Sequence, residues 1–382
     1  MHLLYGNMKI GIVSRGVQSD NNIGIFEYDQ AKALKKIGLE VVIFVLDLRS
    51  IRRKRKWGIK KHNVGDIYVY IISLPIGSVN YKLFNYIGIK CFSSLYKYYL
   101  KNNDDVDILH AHFSEIGSIV HPYAKKNNIK YVFTEHSSMV NKDEIEKSAF
   151  FMVNKAVSNK NTIAVSNCLK EKIYEYTGVE SSIIPNIIDT NLFKIRERDK
   201  KTNSYTFFTT ARLEKNKGID LLIKAFANIV RTYCSNIRLI ICGTGSQFNN
   251  LVNLCQKLNI EDKVLFKGFC ERKEISEIYK IANCFVLPSY SETFGVSYLE
   301  SISSGVPVIA TKCGGPEDFV NEENGILIEK GNLKSLSLAM KYMINNSYKF
   351  DPVKLHNYVE NNYSEKVIAN KLNQYFINLK RI

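Results

Sequence analysis

SETFGVSYLES, residues 291 to 301, runs on through ISSGVPVIATKCGG to Gly315, and this stretch decides the fold. It follows a short apolar run, Cys284 to Leu287, closed by Pro288. Strand, tight turn, helix is the order this predicts. A glycine at the start of a helix, here Gly295 between Phe294 and Val296, lets a ligand approach bare backbone. The first N–H groups of the helix have no internal partner and point at whatever sits there. Phosphate is the usual guest at such a terminus. Glu292 then falls in the turn, and Glu300, about two helical turns further on, faces something lying along the helix.

Working outward, the chain alternates apolar strand-like runs with helix-like runs. Strands are expected at Lys9 to Val13, Val41 to Leu46, Ile67 to Ile72, Asp107 to His110, Tyr131 to Thr134 and Thr162 to Val165, with helices between, the first from Ile25 to Ile37. The pattern pauses around Ile183 to Asn186 and again in the charged run Lys194 to Lys201, where a linker is expected. A second series then begins with strands at Tyr205 to Thr210, Arg238 to Cys242, Val264 to Phe266, Cys284 to Leu287 and Val308-Ile309. Strands alternating with helices imply parallel sheets covered on both faces, here two doubly wound α/β units with a cleft between them. The expected divisions are residues 1–192, 193–360 and a last helix, 361–382, that returns to the first unit.

Composition sets bounds. At 382 residues and 45% hydrophobic, the chain can bury two cores of ordinary size. No apolar run approaches the roughly 18–20 residues of a membrane span, and MHLLYGNMKI carries no long apolar segment or cleavage site, so a cytoplasmic protein is expected. Its eight cysteines are scattered, none in C-x-x-C spacing, so they read as reduced thiols, and no metal site is expected.

The net charge of +16 is uneven: twelve Lys or Arg and one acid, Asp66, lie between Arg49 and Lys101. This segment holds RSIRRKRKWGIKK, with the one tryptophan, and then YKLFNYIGIKCFSSLYKYYLK. Basic residues interleaved with Trp, Tyr and Phe suit an anionic membrane surface, while a solvated loop and a core helix account for the same letters. No nucleic-acid-binding motif surrounds the patch, so nucleic acid is not an expected partner.

By the rule for open α/β sheets, ligands bind at the carboxyl ends of the strands. The candidate residues fall there: Arg212 and Lys217 in ARLEKNKG, Gly243 in Gly243-Thr244-Gly245, the Lys267-Gly268-Phe269 turn, Gly24 after the first strand, His112 in LHAH, and His136 with Ser137 in TEHS. Two cations at one strand end can neutralise a diphosphate. The combination R-L-x-x-x-K-G, then E-T-F-G with a second Glu eight residues on, then GVPVIA and Gly314-Gly315, resembles the donor-site signature of the family-4 retaining glycosyltransferases. Asn186-Ile187-Ile188-Asp189 resembles that family's N-x-V-D junction turn, and Ser301 stands where many members have Ala. Where members often carry a glycine pair after the first strand, this chain has Ile23-Gly24.

The resemblance implies the GT-B fold and metal-independent, retaining transfer of a sugar from a UDP- or GDP-linked donor, with no cofactor. It assigns Glu292 and His136 to the reaction, and Gly24, Arg212, Lys217, Gly243, Phe294, Gly295, Val296 and Glu300 to the donor. His112 and Ser137 are acceptor-side candidates. The basic first unit adds the expectation of a glycan or lipid-linked acceptor for surface polysaccharide at the inner face of the membrane. A sugar-nucleotide epimerase of the same fold and a non-catalytic sugar-nucleotide-binding scaffold are the alternatives.

Overall fold

A computed structural model describes residues 8–16, 23–48, 56–77, 79–159, 161–195, 204–233 and 236–381. It divides into two compact units, Met1–Ile187 with Glu365–Ile382, and Ile188–Ser364. At the division the chain leaves and re-enters side by side: Ile188 N donates to Tyr363 O at 2.9 Å, and Ile188 bridges Ser364 in parallel.

The first unit is built on β1 (Lys9–Arg15), α1 (Ile25–Lys36), β2 (Glu40–Asp47), β3 (Gly58–Val64), β4 (Ile67–Ser73), α2 (Tyr81–Leu100), β5 (Ile108–His112), α3 (Ser114–Lys126), β6 (Lys130–Glu135), α4 (Lys147–Ala156), β7 (Thr162–Ala164), α5 (Asn167–Thr177) and β8 (Ser182–Ile183). Its sheet runs β3-β4-β2-β1-β5-β6-β7-β8, parallel except for β3. The order reverses between β1 and β5, which makes the ends of those strands the switch point. Continuous burial along β2 and β5 is what a sheet covered on both faces requires. One face is sealed by α1 and by the terminal helix, whose Ile368, Ala369, Leu372 and Phe376 join the Ile10, Ile12 and Ile43 core.

The hairpin of β3 and β4 was not among the expected elements. Residues 58–64, GIKKHNV, pair antiparallel with β4 and are mostly exposed, an edge strand whose lysines discourage further pairing. The aromatic stretch 81–101 forms α2, and its Phe92, Leu95, Tyr96 and Tyr99 lie in the core around Phe44. Its exposed apolar side chains are few: Leu83, Tyr86, Tyr98 and Leu100. Residues 49–55, with five of the basic side chains, lie outside the described residues.

The second unit contains β9 (Tyr205–Thr210), α6 (Ile219–Thr232), β10 (Ile237–Cys242), α7 (Phe248–Lys257), β11 (Val264–Gly268), α8 (Arg272–Ile278), β12 (Cys284–Leu287), α9 (Val296–Ser303), β13 (Val308–Lys312), β14 (Gly325–Glu329), α10 (Leu333–Asn346) and α11 (Pro352–Tyr363); α12 (Glu365–Arg381) then rejoins the first. The sheet is wholly parallel, β11-β10-β9-β12-β13-β14, and reverses between β9 and β12. Strand β14 and helix α11 are additions to the sequence reading. Helix α11 starts on Asp351, whose carboxylate accepts from Val353 N at 2.8 Å, with Pro352 at the first helical position.

Candidate functional site

In the second unit the switch point is framed by the loop after β9 and the turn after β12. The two are tied together by backbone, Tyr290 N donating to Asn216 O at 2.8 Å. Their side chains meet as well: Lys217 Nζ lies 2.7 Å from Glu292 Oε1, which also accepts from Ser289 Oγ at 2.8 Å. Glu292 is fixed through its backbone to the next strand end, with its N–H on Cys313 O and its C=O on Gly315 N. Gly315 is pressed so close to Phe294 that a Cβ there would lie 2.4 Å from the Phe294 backbone.

Gly295 caps α9 with φ +99°, the left-handed region that a side chain rarely adopts. The helix that follows carries Val296 at its first position and Glu300 one turn on, 6% exposed. Glu300 Oε1 accepts from Arg272 Nη2 at 3.1 Å, a partner that nothing in the local sequence announces, since Arg272 sits at the start of α8. Arg272 in turn stacks over Phe193, 5.3 Å from its ring centre.

Arg212 projects outward, its side chain 83% exposed and 3.6 Å from Glu214. Glu214 accepts from Ser246 N at 3.2 Å and Ser246 Oγ at 2.6 Å, joining the loops after β9 and β10. Gly243 makes that juncture possible. It has φ +134°, and a Cβ on it would lie 1.8 Å from Ala211 O. What reads in the sequence as a weak G-x-G is therefore a site of close backbone packing beside Arg212. The Lys267-Gly268-Phe269 turn adjoins it, Gly268 O accepting from Gly243 N at 2.6 Å.

The first unit gathers its candidates at the ends of β5 and β6. His112 and His136 form one cluster: His112 Nδ1 lies 2.9 Å from His136 Nε2, and the rings stack at 5.2 Å. His110 joins them, 4.3 Å from His112 between ring centres, with its Nε2 2.7 Å from Thr134 Oγ1. His136 is 6% exposed and stacks on Phe26 of α1 at 5.1 Å. Burial drives all three imidazoles toward the neutral form, to about 3 for His110 and His136 and well below the usual value for His112. For His136 the Asn186 side chain works in the opposite direction.

The sequence reading passed over Glu135 and Glu27. Glu135, fully buried, accepts from the backbone N–H groups of His136 and Ser137 at 2.8 Å and of Ser114 at 3.1 Å. Desolvation outweighs those three donors and pushes its carboxyl up to about 7. Ser137 is thus held by its N–H, and its Oγ accepts from Met139 N at 3.1 Å. Glu27 lies three residues beyond Gly24, which precedes α1, and accepts from Ser14 Oγ at 2.9 Å. Burial raises its carboxyl too. The rest of the loop before Gly24, residues 17–22, lies outside the described residues. Among the described residues no group of three or more His, Cys, Asp or Glu is placed to hold a metal, and no helix is long and apolar enough to cross a membrane.

A family model described as Glycosyltransferase Family 4 matches residues 24–192, and one described as Glycosyl transferases group 1 matches residues 191–365. The alpha-monoglucosyldiacylglycerol synthase of Streptococcus pneumoniae is 26% identical over 302 residues, covering 72% of this chain and 65% of that protein. Sucrose-phosphate synthase from Thermosynechococcus elongatus superposes with a TM-score of 0.80 at 20% identity, over 98% of this chain and all of that one. Anabaena HepE, solved with UDP and glucose, gives 0.73 at 17% identity, again over 98% and 100%. The chain spans between 38% and 65% of the length of the first curated relatives it matches.

Proposed function

The chain belongs to the family-4 glycosyltransferases and has the GT-B fold, and from that premise we propose that it transfers a sugar from a nucleotide diphosphate donor to a hydroxyl acceptor with retention at the sugar. The observation that carries the reading is the Lys217–Glu292 pair at the β9/β12 switch point, next to the amide-rich start of α9. A diphosphate gains charge as its bond to the sugar breaks, and preorganised donors aimed at that charge lower the barrier. In this reading Lys217, Arg212 and the N–H groups after Gly295 receive the diphosphate, Gly243 holds the loop carrying Arg212 by close backbone packing, and Glu300, steadied by Arg272, receives the ribose hydroxyls. Once the diphosphate draws on Lys217, Glu292 turns its carboxylate to the sugar hydroxyls and to the positive charge developing on the ring. The acceptor hydroxyl attacks on the face from which the diphosphate leaves and gives its proton to a phosphate oxygen, so no metal is called for. To His136, neutral and steadied by His112, this reading gives the role of an uncharged hydrogen-bond donor to the sugar, and Ser137 is its acceptor-side candidate.

The test is a panel of UDP-, GDP- and ADP-sugars scored for binding and for slow release of the nucleoside diphosphate, with product anomers read by NMR once an acceptor is found. Glu292→Gln is expected to keep binding and lose at least a hundredfold in turnover, and Lys217→Met to lose both. Unchanged turnover in Glu292→Gln would remove the glutamate from the chemistry, and product with inverted configuration would overturn retention.

For the acceptor, we propose a lipid-linked or lipid sugar at an anionic membrane face. The name of the pneumococcal relative, an alpha-monoglucosyldiacylglycerol synthase, supports this, as do the exposed Trp57 just before the hairpin, Tyr68 with Lys61 over its ring, and Leu83 and Tyr86 on α2, the latter with Lys90 over its ring. Flotation with vesicles of neutral lipid alone and with a third anionic lipid separates the cases. Binding only to the anionic vesicles is expected, and equal recovery from both counts against the proposal.

A further inference from the structure

Two of the cysteines that read as reduced thiols face each other across the ends of adjacent strands. Cys242 is the last residue of β10, and Cys270 follows the last residue of β11 by two. Their Sγ atoms are 2.7 Å apart, against about 2.05 Å for a formed disulfide. Neither sulfur is bonded to another, and both side chains are packed, Cys242 fully buried and Cys270 9% exposed. The pairing shifts by one residue at Ile241/Cys242, and Gly243 N and Gly268 O close on each other at 2.6 Å. The two thiols therefore meet where the backbone ends of β10 and β11 are held together. Of the two, Cys270 alone keeps some exposure to solvent.

We propose that Cys242 and Cys270 are a thiol–disulfide modification site, closed by low-molecular-weight disulfides such as glutathione disulfide. Cys270, the more accessible, attacks as thiolate on one sulfur of glutathione disulfide, forming a mixed disulfide and expelling one glutathione thiolate, which takes up the proton Cys270 lost. The Cys242 sulfur then attacks Cys270 Sγ, gives up its own proton and expels the second glutathione. Two protein thiols are oxidised, and one glutathione disulfide is reduced to two glutathiones. Burial raises the Cys242 thiol above its usual range, which slows its attack on the mixed disulfide. The bond ties the β10 and β11 ends together beside the Gly243–Gly245 turn, so the redox state sets how freely that turn opens.

The full chain is equilibrated in glutathione buffers of rising disulfide fraction, its free thiols are then alkylated, and peptides are mapped by mass spectrometry with and without dithiothreitol. Oxidation is expected to remove two of the eight alkylatable thiols, to yield a Cys242–Cys270 cross-linked peptide, and to be reversed by the reductant. Cys270→Ser retains its remaining seven alkylatable thiols, and Cys242→Ala stops at the glutathione adduct on Cys270, so failure of one variant to fold leaves the other to report. Amide exchange at residues 243–246 slows at least tenfold in the oxidised protein. Eight reactive thiols at the highest disulfide fraction, or a cross-link mapping to other cysteines, overturns the site. Unchanged exchange in a cross-linked protein overturns the coupling to the turn.

Discussion

Replacing Gly243 by alanine tests whether the loop carrying Arg212 is positioned by backbone contact. A Cβ on Gly243 would sit 1.8 Å from Ala211 O, where a carbon–oxygen contact settles at about 3.3 Å. One of the two segments must give way by about 1.5 Å, the difference between those distances. The segment cannot yield freely, because Ala211 N donates to Cys242 O at 3.2 Å and Leu213 N to Thr244 O at 2.9 Å on either side of the contact. Backbone strain at φ +134° adds about 1–3 kcal/mol, and overpacking against a fixed carbonyl about as much again. A loss near 3 kcal/mol is expected, which in a unit of this size lowers Tm by about 6–12 °C. Gly331→Ala supplies the control. It too has a left-handed φ, +74°, but its Cβ would meet only Tyr290 at an ordinary 3.4 Å. It should therefore lose only the backbone term, about 1–2 kcal/mol. Paired melting curves by circular dichroism measure both, and titration with the donor sugar nucleotide measures the site. A misplacement of an ångström or more can cost on the order of a hundredfold in rate, so Gly243→Ala should retain its fold at low temperature yet turn over about a hundredfold more slowly. Should it melt with Gly331→Ala and bind donor with wild-type affinity, the close packing is not what sets this loop.

Three further outcomes follow from the same structure. Glu135 has its folded carboxyl raised to about 7, so the stability it contributes is present below the unfolded value near 4.5 and is lost as pH rises toward 7; Glu135→Gln should lack that loss when Tm is followed from pH 5 to 8, and identical slopes would contradict the burial argument. His110 and His136 act in the opposite sense, held down at about 3 when folded, so they destabilise as pH falls below about 6.5, each by about 1.4 kcal/mol at pH 5.5. His110→Asn should melt with a flatter acid limb than the wild type. Ser301, which stands where many members of the family have Ala, donates its buried Oγ to Val306 O at 3.0 Å; Ser301→Ala should cost about 1 kcal/mol, a fall of roughly 2–4 °C, and an unchanged Tm would show that the bond adds nothing net.

How far the letters carried depended on whether the deciding forces were local. The β12 turn and α9 were legible because a buried four-residue strand, a proline, and a glycine before a helix are each dictated within a few residues. The edge strand β3 was not, since GIKKHNV has neither the alternation nor the apolar content of a strand and exists because β4 offers it a ladder. The same division runs through the candidate site. Lys217 and Glu292 are 75 residues apart, and each was singled out alone, but only the adjacency of β9 and β12 in the sheet makes them a pair. Arg272 escaped notice for that reason: its value lies in facing Glu300 from another helix. His112 and His136 look like two isolated histidines 24 residues apart, and the parallel register of β5 on β6, His112 opposite Thr134, sets them side by side. Their neutrality, and the raised carboxyl of Glu135 beside them, come from burial by α1 and α3, which no short window contains. A charged residue's environment is therefore the last property a sequence reveals. The pH slopes of Glu135→Gln and His110→Asn probe that property directly, because a solvent-exposed Glu or His would titrate near its ordinary value and leave both slopes unmoved.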